Sequence, residues 1–189
     1  MKPILEFQVN GSFNILKQTI EGMTDEEWTS RPYPSANLVG FTAWHSLRTI
    51  DWAINTAIRG VPELAADPEW RDVKPDGAYF GAGVSKEDAD AIARKVGRTL
   101  MIGYLEALRA QAMSWLGALP SDDLDQPVDL KSAGGPDADH HHPVVWAEVE
   151  DLDGIPTWQF LARPCVSHIR VHYGEMTSQL EAMRASAPA

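Results

Sequence analysis

The chain has 189 residues, of which 44% are hydrophobic and 23% charged, as is usual for a globular protein with a substantial core. Its 16 Lys and Arg residues against 27 Asp and Glu residues give a formal net charge of −11. Nucleic acids and anionic membrane surfaces bind basic faces, so this balance argues against both as partners. The length favours a single domain over residues 1–189.

The N-terminal residues and the single cysteine bear on location. The first ten residues hold no uninterrupted apolar run of the kind a signal peptide needs, and no later segment reaches transmembrane length. Cys165 has no second cysteine to pair with, so no disulfide framework points to secretion. We therefore expect a cytoplasmic protein.

Two helices are predicted in the first third of the chain. The first runs from Ile4 to about Gly22, because apolar residues recur there at steps of three and four. These residues are Leu5, Val9, Phe13, Leu16 and Ile20. The second runs from about Asn37 to Ile58 and ends at Gly60 and Pro62. Residues 61–84 carry three prolines and three glycines without a sustained period, which predicts a long connection.

Two further helices follow. Ser85 starts the third with a pattern similar to a capping box, and this helix extends to about Leu119. The fourth runs from about Thr157 to Met183. Four long amphipathic helices with little strand signal predict an all-α fold, a four-helix bundle.

The connection formed by residues 121–156 does not fit this simple scheme. Polar and apolar residues alternate from Val144 to Glu150, and Asp153 and Gly154 follow. This pattern suggests a short strand or hairpin. Connections as long as 61–84 and 121–156 often form lids or binding surfaces, so we expect both to help form the mouth of a site. Their aromatic residues would supply apolar walls or simply pack on the surface: Trp70, Tyr79, Phe80 and Trp146.

Three histidines form a candidate metal site. His168 and His172 are four residues apart in the fourth helix, so they share one helical face and a single ion can contact both. His45, in the second helix, is a third candidate. Three histidines plus water is a common arrangement for a reactive metal. The alternative is that these are ordinary packed or surface histidines.

The run from His140 to His142 is the other histidine cluster. It lies in a segment rich in glycine, proline and aspartate, with no rigid element to fix ligand geometry. We interpret it as a solvated loop rather than a functional site.

Two stretches of the chain resemble the DinB-like superfamily of metal-binding four-helix bundles. The segment from Pro34 to Trp52 reads PSANLVGFTAWHSLRTIDW and resembles the superfamily's second helix, in which an Asn-led entry precedes a ligand histidine and an Arg/Asp pattern. The segment from Val166 to Met176 reads VSHIRVHYGEM and resembles its last helix, in which HxxxH is followed by a Gly and an acid or amide. The helix order also matches, and the resemblance covers most of the chain outside the two connections.

The resemblance implies a metal site with His45, His168 and His172 as ligands. Zinc or nickel is favoured, and iron or cobalt are alternatives, because neutral imidazoles suit all four. Members of the superfamily include thiol-dependent transferases and isomerases that use mycothiol or bacillithiol. The implied activity is therefore a thiol-dependent S-transferase acting on a small-molecule substrate, with a low-molecular-weight thiol as cosubstrate. The alternatives are a hydrolase that uses metal-bound water and a non-catalytic metal-binding stress-response protein.

Four residues near the histidines have two interpretations each. Glu175 either orients a ligand ring or acts as a base, or it is a solvated or interhelical acid. Arg48 either binds a substrate carboxylate or forms a salt bridge with Asp51 or another acid. Cys165 either joins the metal or is a small buried hydrophobe. Pro164 either kinks the fourth helix or lies in its first turn.

Assembly is the last expectation from the sequence. Seven tryptophans and wide apolar helix faces exceed what a short bundle readily buries, and the superfamily resemblance also suggests a homodimer. The alternative is that five of them pack under the long connections: Trp28, Trp70, Trp115, Trp146 and Trp158.

Overall fold

The computed structural model describes residues 1–132 and 143–186, with the side chains of 143–145 left out of the description. These residues form an all-α protein without a β-strand. Its α-helices are α1 (Lys2–Glu21), α2 (Asp25–Trp28), α3 (Val39–Asp51), α4 (Lys86–Lys95), α5 (Arg98–Ala118), α6 (Pro143–Val149), α7 (Thr157–Ala162) and α8 (His168–Ala185).

Two π-helical segments extend the helices that carry the candidate ligands. Trp52–Ile58 continues α3, so the second predicted helix is confirmed as one continuous helical segment. Arg163–Ser167 joins α7 to α8, which confirms the fourth predicted helix as well. Shorter 3-10 turns lie in the connections, at Leu64–Ala66, Pro68–Val73, Ser121–Asp125 and Glu150–Leu152.

The third predicted helix is two helices. Val96 leaves the helical conformation, with φ −94° and ψ 95°, and Gly97 is the residue that precedes α5. The indole nitrogen of Trp28 donates to the carbonyl oxygens of Ala93 and Val96, at 3.0 Å each. A tertiary contact therefore binds carbonyl groups at the end of α4 that would otherwise lack a partner.

The predicted strand or hairpin over 144–150 is wrong, because Pro143–Val149 is α6 and Glu150–Leu152 is a 3-10 turn. An alternation of polar and apolar residues over so short a segment does not distinguish a strand from a short helix with one apolar face. The extended contact in this region lies elsewhere. The Val128 N–H donates to the Ile155 carbonyl at 2.9 Å, and the Gly154 N–H donates to the Val128 carbonyl at 2.8 Å. This pairing ties the beginning of the 121–156 connection to its end.

The long helices enclose one hydrophobic core. Helix α1 packs against α5 and α8, and α3 packs against α4, α5 and α8. Large side chains that are completely or almost completely buried fill the space between them: Phe13, Trp28, Trp44, Leu47, Tyr104 and Phe160. The contact between α3 and α8 is close to the cavity described below. None of the described helices is both long and apolar enough to cross a membrane.

Candidate metal centre

The three predicted ligands lie together between α3 and α8. The Nε2 atom of His168 lies 3.3 Å from that of His45 and 3.0 Å from that of His172. One ligand atom from each ring falls within 4.8 Å of both others. Among the residues that the structure describes, this is the group of side chains arranged to hold a metal ion.

A protein partner fixes the orientation of two of these rings. Nδ1 of His45 lies 2.6 Å from the carbonyl oxygen of Phe80, and a carbonyl oxygen only accepts, so this nitrogen carries the proton. Nδ1 of His172 lies 2.9 Å from Glu175 Oε2. The bond to His172 lowers the pKa of the Glu175 carboxyl and keeps it an ionised acceptor. With Nδ1 of each ring turned to an oxygen, the Nε2 atoms of His45 and His172 face Nε2 of His168.

His168 has no comparable tether. Its Nδ1 is buried and has no hydrogen-bond partner within the described part of the chain. Burial, together with the charges of His45, His172 and Arg163, lowers the pKa of His168 to about 3. Burial and the charge of His172 lower the pKa of His45 to about 4, against the opposing effect of the bond to Phe80. Both rings are thus neutral near pH 7, the form that binds metals.

The spacing of the nitrogens fits a divalent ion. Two nitrogens that bind one zinc-sized ion at about 2.0–2.1 Å lie about 2.9–3.4 Å apart for bond angles from square to tetrahedral. The measured separations of 3.0 and 3.3 Å fall in this range. The donor set is neutral imidazole, which suits zinc, nickel, iron(II) and cobalt.

The histidines open onto a cavity of about 390 Å³. Its walls carry four aromatic side chains, and two of them, Trp52 and Phe80, are tilted by 38° with ring centroids 4.8 Å apart. Both long connections contribute, through residues 80–83 and through Glu148, Val149 and Leu152. Of the four aromatic residues predicted for the mouth, Phe80 lines the cavity; Trp70 packs instead on Tyr104, with centroids 5.7 Å apart.

The segment that carries Phe80 has an unusual backbone. Tyr79 has φ 47° and Gly81 has φ 97°, both in the region that L-residues with side chains seldom adopt. A Cβ built on Gly81 would lie 2.6 Å from the Trp44 ring. Glycine is therefore required at 81 for the chain to pass over Trp44 and place the Phe80 carbonyl on His45.

Arg48 is fully buried and bound to protein groups. Its guanidinium donates to Asp51 Oδ2 at 3.0 Å and to Glu63 Oε2 at 2.7 Å. It also reaches the Tyr104 hydroxyl at 3.1 Å and the Tyr79 carbonyl at 3.2 Å. This placement corresponds to the salt-bridge alternative, since Arg48 is not among the residues that line the cavity.

Cys165 is fully buried, and burial raises the pKa of its thiol to about 12. It stays a neutral thiol outside the histidine group, as expected for the small buried hydrophobe. The run from His140 to His142 lies outside the described residues. Pro164 lies inside the long helix, in the π-helical segment.

Two contributing residues, Gln179 and Arg163, and one contact of Phe80 were not predicted from the sequence. The amide of Gln179 donates to Glu175 Oε1 at 3.2 Å, and its position four residues after Glu175 was a usable signal. Arg163 lines the cavity because of the π-helical segment, which the sequence did not predict. Phe80 was expected as a wall, but its carbonyl contact with His45 bridges 35 residues and leaves no sequence signature.

Comparison with known proteins yields a fold and no family. No protein-family profile matches the chain, and no curated protein matches it. One similar solved structure is described as the conserved protein of locus from Enterococcus faecalis. It is 17% identical, the match covers 98% of each chain, and the TM-score is 0.72. At this identity the likeness shows a shared all-helical fold.

Proposed function

We propose that this chain is a DinB-like four-helix bundle that binds one divalent metal ion through His45, His168 and His172 and catalyses a thiol-dependent S-transfer. The all-α fold and the two motifs in their superfamily order support the bundle assignment. One observation carries the metal proposal: two rings, fixed by Phe80 and Glu175, turn their Nε2 atoms to a third ring on the edge of a cavity.

Each residue then has a defined task. The three histidines hold the ion, and Glu175 keeps the His172 ring in the required tautomer. Gln179 holds Glu175 in turn. A bound divalent cation would supply charge that acidifies a thiol and favours its nucleophilic thiolate form. The aromatic walls limit water around the reacting sulfur.

The alternatives use the same site differently. A hydrolase would place water in the open position, and a non-catalytic protein would close that position with a fourth protein ligand. The histidine group comprises three residues in the described part of the chain, and Cys165 is a buried thiol outside it. This favours an open, reactive site over a closed structural one.

Elemental analysis of untagged protein tests the metal assignment. We expect about one divalent ion per chain, most of it lost in His168→Ala and retained when residues 140–142 are deleted. Loss of the ion in the deletion and its retention in His168→Ala would contradict the assignment.

Titration of cobalt-substituted protein with low-molecular-weight thiols tests the activity. Sulfur ligation adds charge-transfer bands, so mycothiol or bacillithiol is expected to change the spectrum, and a panel of electrophiles then identifies a turnover that consumes the thiol. A cobalt spectrum that no thiol changes would contradict S-transfer and leave the hydrolase.

A cytoplasmic homodimer remains part of the proposal. The tryptophans do not support it: Trp28 is buried, and Trp70, Trp115, Trp146 and Trp158 are partly buried and pack on the core. The support comes instead from exposed apolar residues, since Phe7 is 79% exposed and Ile4 lies one turn before it on α1. A sedimentation mass near 21 kDa at micromolar concentration would contradict the dimer.

A further inference from the structure

The cavity has an apolar body and a charged rim. Phe41, Trp52, Phe80 and Phe160 supply its aromatic surface, and the histidines lie on one side. Arg163 and Glu148 supply charge, and both side chains are exposed to solvent. A ligand that fills this space therefore contacts rings over most of its surface and meets full charges only at the rim.

The π-helical segment brings Arg163 onto the histidine side of the helix. The His168 N–H donates to the Arg163 carbonyl, five residues back, which is the π-helical pattern. In a regular α-helix, residues five apart are rotated by about 140°, because 3.6 residues make one turn. The wide turn reduces this rotation and stacks Arg163 one turn before His168. Pro164 lies within this turn and has no N–H to donate to a regular α-helical ladder.

Arg163 is available to a ligand. Its side chain is 54% exposed, and its ion pair is with Asp151 Oδ2 at 3.8 Å. Asp151 is itself 71% exposed, so water screens this weak contact. The guanidinium therefore retains donors for a planar anion, which it binds with two parallel hydrogen bonds.

We propose that Arg163 anchors the carboxylate of a small organic acid whose apolar, preferably aromatic, body lies in the cavity against Trp52 and Phe80. This inference rests on the proposed function, for which it names a substrate class, the aryl carboxylates. Arg163 takes the carboxylate at the rim, and the apolar body lies among the rings that line the cavity beside the histidines. The arginine for the carboxylate is, in this proposal, Arg163, which lines the cavity, and not the buried Arg48.

Calorimetric titration of metal-free protein tests this anchor without any need for turnover. The probes are phenylacetate and 3-phenylpropionate, each paired with its neutral amide. We expect wild-type protein to prefer the acids, and Arg163→Gln to weaken acid binding about tenfold or more while amide binding stays unchanged, because one charge-assisted pair is lost. The matched control is Arg94→Gln, since Arg94 is also an exposed arginine with its acid, Asp90, at 3.8 Å.

Several results would overturn the inference. One is equal binding of the acids and the amides by wild-type protein, and another is that wild-type protein binds neither. A third is an acid preference that Arg163→Gln leaves intact. An acid preference removed by His168→Ala and kept in Arg163→Gln would place the carboxylate at the histidines instead. Elemental analysis tests the proposed metal site separately. The acid preference is measured on metal-free protein, so it does not depend on whether the purified protein contains metal.

Discussion

Helix α3 carries two polar clusters one turn apart, a fully buried one around Arg48 and a partly buried one around His45, and they differ in the kind of atom that their nitrogens face. Around Arg48, both terminal nitrogens bond to protein oxygens, and Asp51 also accepts the N–H groups of Leu64 and Ala65 at 2.9 and 3.0 Å; Arg48 Nε and Glu63 Oε1 have no partner among the described residues. Around His45, ring nitrogens face one another, and His168 Nδ1 likewise has no partner in the described part of the chain. The Arg48 cluster fastens the 61–84 connection to the helix, whereas the histidine cluster presents three grouped ring nitrogens to a cavity.

Breaking the Arg48 cluster is expected to have the largest effect on stability. Asp51→Ala leaves a buried guanidinium with only one of its two carboxylate partners and removes the acceptors of two backbone N–H groups. We expect the free energy of unfolding to fall by about 3–5 kcal/mol, measured by urea denaturation. Glu21→Ala, which breaks the exposed pair with Lys17, is the control and should cost about 0–1 kcal/mol. Similar losses in both variants would contradict the assignment of the Arg48 cluster to structure.

The histidine cluster should respond oppositely, by gaining stability from a ligand. Zinc or nickel at a hundred times its dissociation constant should stabilise wild-type protein by about 2.7 kcal/mol. His168→Ala should lose this gain and keep most of the stability of the metal-free protein, because the ring it removes has an unpartnered Nδ1. Thermal denaturation with and without metal measures both quantities. A variant that unfolds without metal would show that His168 is structural.

Glu175 should affect metal affinity more than folding. Glu175→Gln weakens the acceptor that orients His172, so we expect the dissociation constant of the metal to rise about 10- to 100-fold, as measured by competition with a chromophoric chelator. Glu181→Gln, an exposed acid on the same helix, is the matched control and should leave the affinity unchanged. If Glu175 also acts as a base, Glu175→Gln will lower turnover by a larger factor than it lowers metal affinity. Equal metal affinities in the two variants would contradict an orienting role for Glu175.

The last effect, small for each residue, is a pH dependence that the histidine cluster should produce. The pKa of His45 is about 4 and that of His168 about 3 in the folded protein, both below the ordinary value of 6.5. The unfolded chain therefore binds more protons between pH 6.5 and about 4, so metal-free protein loses stability as the pH falls through this window. We expect the free energy of unfolding, measured by urea denaturation, to fall by about 1 kcal/mol for each of the two histidines from pH 7.5 to pH 5.5, and by about half the total in His45→Gln. An identical drop in that variant would assign the effect to other groups.

The sequence allowed the grouping of the three histidines to be predicted because its signal is local. His168 and His172 share a helical face at i and i+4, and the motif around His45 marks its helix. The sequence left the role of Arg48 ambiguous. Its partner Glu63 lies beyond the end of the helix, and the sequence does not show whether an arginine is buried or exposed. The break at Val96 depends on the distant Trp28 indole. Arg163 was missed since helical periodicity assumes 3.6 residues per turn, and the π-helical segment departs from it.

The bond between His45 and the Phe80 carbonyl would make the cavity wall and a bound ion mutually dependent. An ion on Nε2 would withdraw electron density from the ring and strengthen donation from Nδ1, and so hold the 78–81 backbone more firmly than the free ring does. Thermodynamic reciprocity would then require that a molecule packed against Phe80 tighten the ion to the same extent. A single peptide group would thus couple occupancy of the cavity to affinity for the ion.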